Sequence, residues 1–551
     1  MLFTSDFETT TNPDDCRVWA TGICSIDDKL DFCYGNNIEY FLWHASKHKN
    51  ATYYFHNLKF DGEFIINHLF RNGFSYFNNR RYLTPHSFTT LISDKGQFYS
   101  MEIMLEEGNR IKILDSLKIL PFSVDEIAKG FNLPINKLEI DYSKEREIGH
   151  KLDGQEVDYL RVDVEIMARS LKILFDQDLT QMTQGSNALH DYKKIIGKKN
   201  FTRWFPIPTY DFDIRQSYKG GFTYCDPRFQ GLDIEEGIVL DVNSLYPSVM
   251  YYEKLPYGEG IFFEGKYEKD ELYNLHVQML TCQFELKENH IPTIQLKNNL
   301  SFIPTQYLSS SGDEEVTMCL TSVDLKLFFE HYNVYNITYH SGWKFKSTTG
   351  LFKDYIDKWN KIKVESTING NKAMRTLAKL MLNALYGKFA LNPHVQSKHP
   401  YFEDDMVKYR LGEKETRDPI YIPVGTFITA WARYKTISSA QKVYDRFLYA
   451  DTDSLHLIGT EIPAELEIDP VKLGAWKHES TFTRARFIRQ KTYMEEIDGS
   501  INITCAGMPS KCYQHVTWDN FMKGSSFPGK LQFTHVKGGI VLKDIDFTIK
   551  G

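Results

Sequence analysis

Two aspartates separated by one residue occupy the stretch Tyr449–Ser454, which reads Tyr-Ala-Asp-Thr-Asp-Ser. Apolar residues flank it on both sides, and this pattern predicts a tight β-hairpin with Asp451 and Asp453 at its tip. Two ionised carboxylates at one turn repel each other, so a cation should lie beside them, and oxygen ligands suit Mg²⁺ or Mn²⁺. By itself the stretch is equally compatible with a polar turn, because Asp, Thr and Ser are common turn residues.

Four further acids and a tyrosine lie in the N-terminal third of the chain. Two of the acids alternate on a predicted strand, a third follows a short aromatic strand, and the fourth shares a helical face with the tyrosine. They are Asp6 and Glu8, Asp61, and Asp163 with Tyr159. Any one of them is more often a surface residue. Together they suit a two-metal phosphodiester hydrolase, with Tyr159 orienting the attacking water.

Two more segments carry chemically useful groups further along the chain. One is an acid at the end of an apolar strand, where it can meet the aspartate hairpin. The other is a polar stripe on a helix predicted from Leu377 to about Phe389. These residues are Asp241 after Ile238–Leu240, and Lys379, Asn383 and Tyr386. A pair of aspartates could hold the two metals of a phosphoryl transfer, and the stripe suits a triphosphate with its sugar and base.

Composition describes a large folded protein. A length of 551 residues suggests roughly three to four domains, and 42% hydrophobic with 14% aromatic residues excludes disorder. The net charge of −7 argues against a uniformly basic nucleic-acid binder. Two basic strips, within 193–203 and 484–491, can still follow a groove of DNA. We expect the stretch 183–208 to be a linker that touches DNA.

The cysteines and apolar runs bear on location. None of the eight cysteines forms a Cys-x-x-Cys pair, so no zinc site is predicted. The chain starts without a signal-peptide pattern, and no apolar run is long enough to span a bilayer. We therefore expect a soluble protein of a reducing cytoplasm.

The N-terminal acids resemble the three motifs of the DEDD-type 3′–5′ proofreading exonucleases. The motifs read Asp-x-Glu, Asn-x-x-Phe-Asp and Tyr-x-x-x-Asp. The resemblance implies that Asp6, Glu8, Asp61 and Asp163 bind two metal ions, and that Lys144 assists catalysis. The residues it implies along the path of a single strand are Thr9, His56, Asn57, Phe60, Phe64, Ser116 and Leu117.

The later segments resemble motifs A, B and C of the family B DNA polymerases. They read Asp-x-x-Ser-Leu-Tyr-Pro, Lys-x-x-x-Asn-x-x-Tyr-Gly and Tyr-x-Asp-Thr-Asp-Ser. The resemblance implies two metal ions held by Asp241, Asp453 and Val242, with Asp451 in support. The implied nucleotide contacts are Val242, Tyr246, Lys363, Lys379, Asn383 and Tyr386, with Tyr246 rejecting a 2′-hydroxyl by sterics. The implied DNA contacts are Tyr218, Gly220, Gly221, Thr429, Arg433, Lys491 and Tyr493.

Two insertions, Glu253–Gly350 and Asn392–Pro423, match the terminal-protein regions of the protein-primed polymerases of small podophages. The resemblance implies that the first docks a priming protein. The second, a protruding hairpin, would close a ring around DNA and give processivity and strand displacement. The implied partners are a DNA template and primer, dNTPs and a terminal protein, with the chain a monomer or a heterodimer in the cytoplasm of an infected bacterium.

The implied fold class is a multidomain α/β and α+β protein, with an RNase H-like exonuclease domain followed by a right-hand polymerase domain. The implied segments are exonuclease 1–182, linker and first palm part 183–252, terminal-protein region 1 253–350, fingers 351–391, terminal-protein region 2 392–423, second palm part 424–505 and thumb 506–551.

Three other functions fit parts of the sequence. A nucleic-acid-primed family B polymerase would leave both insertions without a task. The hypothesis of an exonuclease with a non-catalytic DNA clamp fails if Asp241→Ala removes synthesis but spares degradation. A non-enzymatic DNA scaffold would bind DNA without Mg²⁺.

Overall fold

A computed structural model describes residues 1–297 and 299–550 of the chain. The last residue of the predicted thumb and one residue of the first predicted insertion therefore lie outside the described residues. Within the described part, no helix is both long enough and apolar enough to cross a bilayer.

The N-terminal elements form an eight-stranded sheet with the order β3-β2-β1-β4-β8-β7-β6-β5. The strands are β1 Leu2–Thr9, β2 Val18–Ser25, β3 Phe32–Gly35, β4 Thr52–Phe55, β5 Ser75–Tyr76, β6 Ser87–Ile92, β7 Phe98–Glu106 and β8 Asn109–Asp115. The helices are α1 Ile38–Lys47, α2 Leu58–Arg71, α3 Val124–Gly130 and α4 Gly154–Phe175. Strand β4 runs parallel to both β1 and β8. This arrangement fits the RNase H-like domain expected from the sequence.

The middle of the chain alternates helices with strands. The helices are α5 Gln184–Ile196, α6 Lys198–Trp204, α7 Asp211–Arg215, α8 Leu245–Tyr252, α9 Ser322–His331, α10 Lys353–Ile368, α11 Lys372–Ala384 and α12 Tyr386–Phe389. The strands are β9 Thr223–Cys225, β10 Asp233–Ile234, β11 Gly237–Val242, β12 Leu255–Glu264, β13 Leu275–Leu286, β14 Val316–Thr321 and β15 Tyr332–Thr348.

The C-terminal third is mostly strand. Its strands are β16 His394–Glu403, β17 Met406–Thr416, β18 Phe447–Asp451, β19 Ser454–Ile458, β20 Trp476–Phe482, β21 Arg484–Arg489, β22 Thr492–Ile497, β23 Ser500–Cys505, β24 Ser526–Val536 and β25 Gly539–Thr548. Its helix is α13 Ile422–Lys442. Short 3₁₀ turns occur at Arg80–Tyr82, Ser116–Lys118, Tyr444–Arg446 and Ser510–His515.

Two sheets meet in the second half of the molecule. A five-stranded sheet has the order β20-β11-β19-β18-β9, and a four-stranded sheet has the order β10-β21-β22-β23. Helix α13 packs against the first sheet and is buried along most of its length. Its apolar and small residues surround the whole helix, as expected for a helix in a protein core.

The prediction of a linker over 183–208 is wrong. This stretch folds into α5 and α6, with the Thr183 side chain capping α5 and Gly197, at φ +81°, separating the two helices. The buried Tyr192 ring stacks on Phe352 at 4.9 Å. Tertiary packing therefore orders a segment whose own periodicity is weak.

The first insertion forms its own four-stranded sheet, ordered β12-β15-β13-β14, with α9 beside it. Its core includes Leu280, Phe284, Leu320 and Phe328. An apolar cluster of this size makes the insertion a subdomain rather than an extended loop.

The second insertion is a two-stranded hairpin, β16–β17, as predicted. It leans on the N-terminal domain, where Phe402 stacks on Phe70 at 5.7 Å and the Tyr76 hydroxyl meets His399 Nδ1 at 2.7 Å. A hairpin with few apolar residues needs such outside contacts to be stable.

The C-terminal hairpin β24–β25 also packs on the N-terminal domain. Phe64 lies against Gly539, and His535 Nε2 is 3.3 Å from Glu63 Oε1. Lys537 Nζ lies 3.6 Å from Asp405 Oδ2 in the tip of the β16–β17 hairpin. The two hairpins thus approach each other over the N-terminal domain.

Candidate active sites

The first candidate site is the N-terminal acid cluster, defined as Asp6, Glu8, Asp61 and Asp163. Asp6 and Glu8 project from the same face of β1, and Asp163 faces them from α4. Asp6, Glu8 and Asp163 each present a carboxylate oxygen, and these oxygens lie within 4.8 Å of one another. The Thr4 hydroxyl donates to the Val164 carbonyl at 2.7 Å and fixes α4 against β1. The sequence prediction that these acids converge is confirmed.

Asp61 reaches the same place from α2. The Phe7 amide of β1 donates to Asp61 Oδ1 at 3.2 Å, so the helix carboxylate is tied to the strand between Asp6 and Glu8. Asp61 is 3% exposed. Three separate elements therefore bring acidic groups into one buried region.

Burial leaves these carboxylates strongly perturbed. It raises the pKa of Asp6 to about 7, with the charge of Asp163 adding to the effect. Burial also raises the pKa of Glu8 and of Asp61 well above their ordinary values, and the neighbouring Asp6 charge adds in both cases. Within residues 1–297 and 299–550, no group hydrogen-bonds to the buried Asp163 Oδ1. Such a donor set is incomplete without a cation.

One lysine already enters the N-terminal acid cluster, and the sequence did not single it out. Lys137 Nζ lies 2.6 Å from Asp163 Oδ2 and 3.4 Å from the Tyr159 hydroxyl. That hydroxyl also lies 3.0 Å from the hydroxyl of Tyr142, a second residue that the sequence missed. Both residues come from the irregular segment before α4, where periodicity offers no signal.

Lys144, the lysine expected to assist catalysis, lies elsewhere in this structure. Its Nζ is 3.0 Å from Asp153 and 3.3 Å from Glu156, at the N-terminal turn of α4. The two acids also form the capping box of that helix. The carboxylates concentrated at the helix start therefore hold this ammonium away from the cluster.

A cavity of about 680 Å³ opens over the N-terminal acid cluster. The residues of the predicted strand path that line it are Thr9, His56, Asn57 and Phe60. The C-terminal hairpin contributes Leu531, Phe533 and Leu542 to the opposite wall, which sequence reasoning missed. The cavity is wide enough for a nucleotide-sized group.

Two residues expected along this path are buried instead. Phe64 is 2% exposed and packs in the core against Phe60 and Gly539. Ser116 is fully buried and donates to the Phe55 carbonyl at 3.0 Å. Both support the cavity wall from behind. Leu117, next to Ser116, is half-buried in the 3₁₀ turn.

The second candidate site is the hairpin acid cluster, defined as Asp241, Asp451 and Asp453. Strands β18 and β19 form the predicted hairpin, with Asp451 paired to Ser454. Strand β11 lies beside it, pairing Asp241 with Ser454, and the Val242 amide donates to the Asp453 carbonyl at 2.8 Å. The prediction that Asp241 meets the hairpin is confirmed.

Each outer acid of this cluster has its own lysine. Lys491 Nζ lies 2.8 Å from both carboxylate oxygens of Asp451, and Lys477 Nζ lies 3.3 Å from Asp241 Oδ2. Asp453 has no such partner among the described ion pairs, and burial followed by the Asp241 charge raises its pKa to about 6. Burial also raises the pKa of Asp241, against the lowering effect of Lys477.

The helix that carries Lys379 and Asn383 begins earlier than predicted, at Lys372. This helix, α11, ends at Ala384, before α12 starts at Tyr386. Leu385 keeps helical φ and ψ, so the predicted face continues across the break. The Tyr386 ring stacks on Tyr246 with centroids 3.9 Å apart and planes 17° apart. The two tyrosines predicted to frame a nucleotide are therefore in contact.

A group of cations faces the hairpin acid cluster from α10, α11 and β20. Burial lowers the pKa of Lys379, with Arg375 and Lys477 adding to the effect, and burial followed by Lys379 lowers the pKa of Lys363. Arg375 was missed, although it precedes Lys379 by four residues on one helical face.

Two expected DNA contacts, Thr429 and Arg433, are buried in α13. The Arg433 guanidinium pairs with Asp324 of α9 at 2.8 Å and donates to the carbonyls of Lys219 and Gly220 at 2.8 and 2.9 Å. The Thr429 hydroxyl bonds within its own helix at 3.1 Å. Arg433 therefore fixes the loop Tyr218–Gly221 from behind and does not present a free guanidinium.

The loop itself packs closely on the hairpin. A side chain at Gly221 would meet Thr452 within 3 Å, and the Thr452 amide donates to the Phe222 carbonyl at 2.7 Å. Gly220 faces open space, Tyr218 is half-buried, and Lys491 is exposed beside the half-buried Tyr493. A second chain can therefore approach this loop and Lys491 from solvent.

Comparison with known proteins gives matches over the whole chain. The family described as DNA polymerase type B, organellar and viral, matches residues 44–152 and 139–468. The chain is 49% identical to the DNA polymerase of Bacillus phage phi29, covering 100% of this chain and 99% of that protein. It is 32% identical to the DNA polymerase of Streptococcus phage Cp-1, covering 100% of this chain and 98% of that one.

Solved structures also match this chain over its full length. The phi29 DNA polymerase complexed with primer-template DNA and incoming nucleotide substrates superposes with a TM-score of 0.95, at 49% identity and full coverage of both chains. The phi29 DNA polymerase complexed with single-stranded DNA gives 0.93, at 48% identity and the same coverage.

Proposed function

The chain belongs to the phi29 group of protein-primed family B DNA polymerases, and from this membership we propose which reaction each of its two acid clusters catalyses. It is a replicative DNA-directed DNA polymerase with an exonuclease domain. The hairpin acid cluster performs nucleotidyl transfer, and the N-terminal acid cluster performs 3′–5′ hydrolysis of mispaired ends. The first assignment rests on the placement of Asp241 beside Asp453, which is fixed by the 2.8 Å hydrogen bond from the Val242 amide to the Asp453 carbonyl.

Both clusters fit divalent cations, which family B polymerases require. The donors are carboxylate oxygens, and Asp163 Oδ1 is a buried acceptor without a partner among the described residues. We assign two ions to Asp6, Glu8, Asp61 and Asp163, and two to Asp241, Asp453 and the backbone of Val242. Bound Mg²⁺ or Mn²⁺ supplies Lewis-acid stabilisation of the reacting oxygens.

The remaining residues of the polymerase site bind and orient. Lys363 and Lys379 receive the triphosphate of a dNTP, since Lys363 is half-buried, Lys379 is exposed, and neither cation has an acidic partner among the described ion pairs. Asn383 extends this helical face toward Tyr386. Of the stacked rings, Tyr246 packs under the deoxyribose and rejects a 2′-hydroxyl by sterics, and Tyr386 packs on the nascent base pair.

Template and primer lie across the β18–β19 hairpin. Lys491 and Tyr493 hold the primer end, while Tyr218, Gly220 and Gly221 guide DNA between the two sites. Arg433 acts on the template indirectly, by fixing that loop, and the Thr429 hydroxyl stays bonded within α13.

In the exonuclease site, a frayed 3′ end enters the cavity lined by Thr9, His56, Asn57 and Phe60. Aromatic rings can stack on its bases. The Tyr159 hydroxyl orients the attacking water, and its raised pKa, caused by burial, keeps it a neutral hydrogen-bond donor. Lys144 assists only if its ion pairs with Asp153 and Glu156 open.

Both insertions have a function in a protein-primed polymerase. The subdomain 253–350 docks a terminal protein, whose Ser, Thr or Tyr hydroxyl replaces the primer 3′-hydroxyl. The hairpin over 392–423 closes a ring with the C-terminal hairpin, an assignment supported by the contact of Lys537 with Asp405. The chain acts as a monomer or as a heterodimer with the terminal protein, in the cytoplasm of an infected bacterium.

A primer-extension assay on a nicked circular template tests this function. Wild-type protein with dNTPs and Mg²⁺ should extend the primer continuously and displace the strand ahead. Replacing 397–412 by a short Gly-Ser turn should shorten the products and stop displacement, while extension on single-stranded template persists. Failure of the wild-type protein to extend any primer would contradict the proposed function.

A further inference from the structure

A buried hydrogen-bonded pair connects the two sheets at the polymerase site. His456 Nδ1 lies 2.7 Å from Glu495 Oε1, and the side chains are 2% and 6% exposed. His456 belongs to β19, three residues after Asp453. Glu495 belongs to β22, two residues after Tyr493. Neither residue is part of the motifs that the proposed function uses.

Aromatic rings enclose this pair on the histidine side. The His456 ring makes edge contacts with Tyr449, Phe487 and Tyr493 at centroid distances of 5.3, 5.4 and 5.1 Å. A polar pair in such surroundings is costly to bury and does little for stability compared with apolar packing. A positional role gives this arrangement a physical reason.

The pair lies beside the contacts that locate the primer-holding residues. The Lys491 amide donates to the Tyr449 hydroxyl at 2.8 Å, and the Lys491 ammonium pairs with both oxygens of Asp451. Tyr449 is also the cross-strand neighbour of His456. Lys491 is therefore fixed through its backbone, through its side chain, and through the neighbouring strand β22.

We infer that His456 and Glu495 are positioning residues that hold β22, and with it Lys491 and Tyr493, in register with the Asp451–Asp453 turn. Lys491 and Tyr493 hold the 3′ end of a primer strand, so this inference rests on the proposed function. Without the pair, the two sheets can shift relative to each other, and the primer 3′-hydroxyl moves away from Asp453.

This role predicts a selective defect. The cations at Lys363 and Lys379 lie on α10 and α11, so the KM for dNTP should stay unchanged. The N-terminal acid cluster lies in another domain, so hydrolysis of single-stranded DNA should also stay unchanged. That second activity reports whether each variant is folded.

The test compares Glu495→Ala, Glu495→Gln and the half-exposed neighbour Glu496→Ala as matched control. We expect Glu495→Ala to lower kcat/KM for primer-template by at least about 10-fold, a loss of ~1.4 kcal/mol in transition-state binding. Glu495→Gln can still accept a hydrogen bond from His456 and should recover most of that loss. Lys491→Met combined with Glu495→Ala should be less than additive, since both act on one contact.

Normal extension by Glu495→Ala would overturn the inference. A rise in the KM for dNTP as large as the fall in kcat/KM for primer-template would overturn it as well. If Glu495→Ala also loses hydrolysis of single strands, the double variant His456→Leu/Glu495→Leu decides, because it fills the space with apolar side chains and removes the hydrogen bond. Selective loss of extension in that variant supports the positioning role, and normal extension or loss of both activities overturns it. Absence of extension by the wild-type protein would instead overturn the proposed function.

Discussion

The two acid clusters differ in how their negative charge is balanced. In the N-terminal acid cluster, Asp61 and Glu8 are almost fully buried, and one lysine, Lys137, contacts Asp163. In the hairpin acid cluster, Asp241 and Asp451 are half-exposed, and each has a lysine of its own. The first site is thus short of positive charge, whereas the second is nearly balanced before any metal binds.

The proposed function explains this difference by what each site must admit. A frayed single strand would carry few phosphates into the N-terminal cavity, so charge balance there can depend on metal ions. The polymerase site receives a triphosphate and a duplex, and therefore stays open and surrounded by cations. Burial raises the pKa of Asp6 to about 7 and that of Asp453 to about 6, so both sites hold a perturbed carboxylate.

The largest expected effect separates the two chemistries. Asp453→Ala should lower primer extension by about 10³-fold or more, because metal coordination supplies several kcal/mol to the transition state. Asp6→Ala should do the same to 3′–5′ hydrolysis. Each variant should keep the other activity in gel assays with Mg²⁺. The exposed Asp445→Ala is the control, and normal extension by Asp453→Ala would contradict the assignment.

A smaller effect concerns the shape of the open site. Tyr246→Val removes the ring stacked on Tyr386 and should reduce discrimination against ribonucleotides by roughly 10- to 100-fold. Single-nucleotide incorporation of dCTP and CTP measures this ratio. Tyr252→Val, an exposed tyrosine at the end of the same helix, should leave it unchanged. Equal discrimination by Tyr246→Val would mean that another group reads the 2′ position.

The charge deficit of the N-terminal acid cluster predicts opposite stability changes in EDTA at pH 8. Asp6→Asn removes a repelling charge and should raise the Tm by roughly 2–4 °C, as expected for about 1 kcal/mol in a domain of this size. Lys137→Met removes the balancing charge and should lower it by a similar amount. Lys129→Met, in an exposed pair with Asp125, serves as control. Shifts of the same sign in both variants would refute the deficit.

A further effect is a pH dependence of the same domain. The folded pKa of Asp6 is about 7, above its ordinary value of 3.8, so the folded state binds more protons between those values. The free energy of unfolding in EDTA should therefore fall as the pH rises from about 4 to about 7. The fall should be smaller in Asp6→Asn and after addition of Mg²⁺. Identical slopes for both proteins in thermal melts would argue against burial as the cause.

Local patterns in the sequence predicted much of both sites. Alternation placed Asp6 and Glu8 on one strand face, helical spacing paired Tyr159 with Asp163, and turn chemistry gave the Asp451–Asp453 hairpin. These features depend on residues close together in the chain, where strand and helix periods apply directly. Resemblance to known motifs then supplied the family, which the comparisons confirmed.

The sequence by itself determined which acids, strands and helices carry the chemistry. Only the tertiary structure decided which lysine reaches which acid: Lys137 meets Asp163, and Lys491 meets Asp451 across 40 positions of the chain. It also decided that Arg433 and Thr429 are buried, and that His456 meets Glu495. Charge pairing and burial depend on residues far apart in the chain, and no local period encodes which distant side chain will fill a given space.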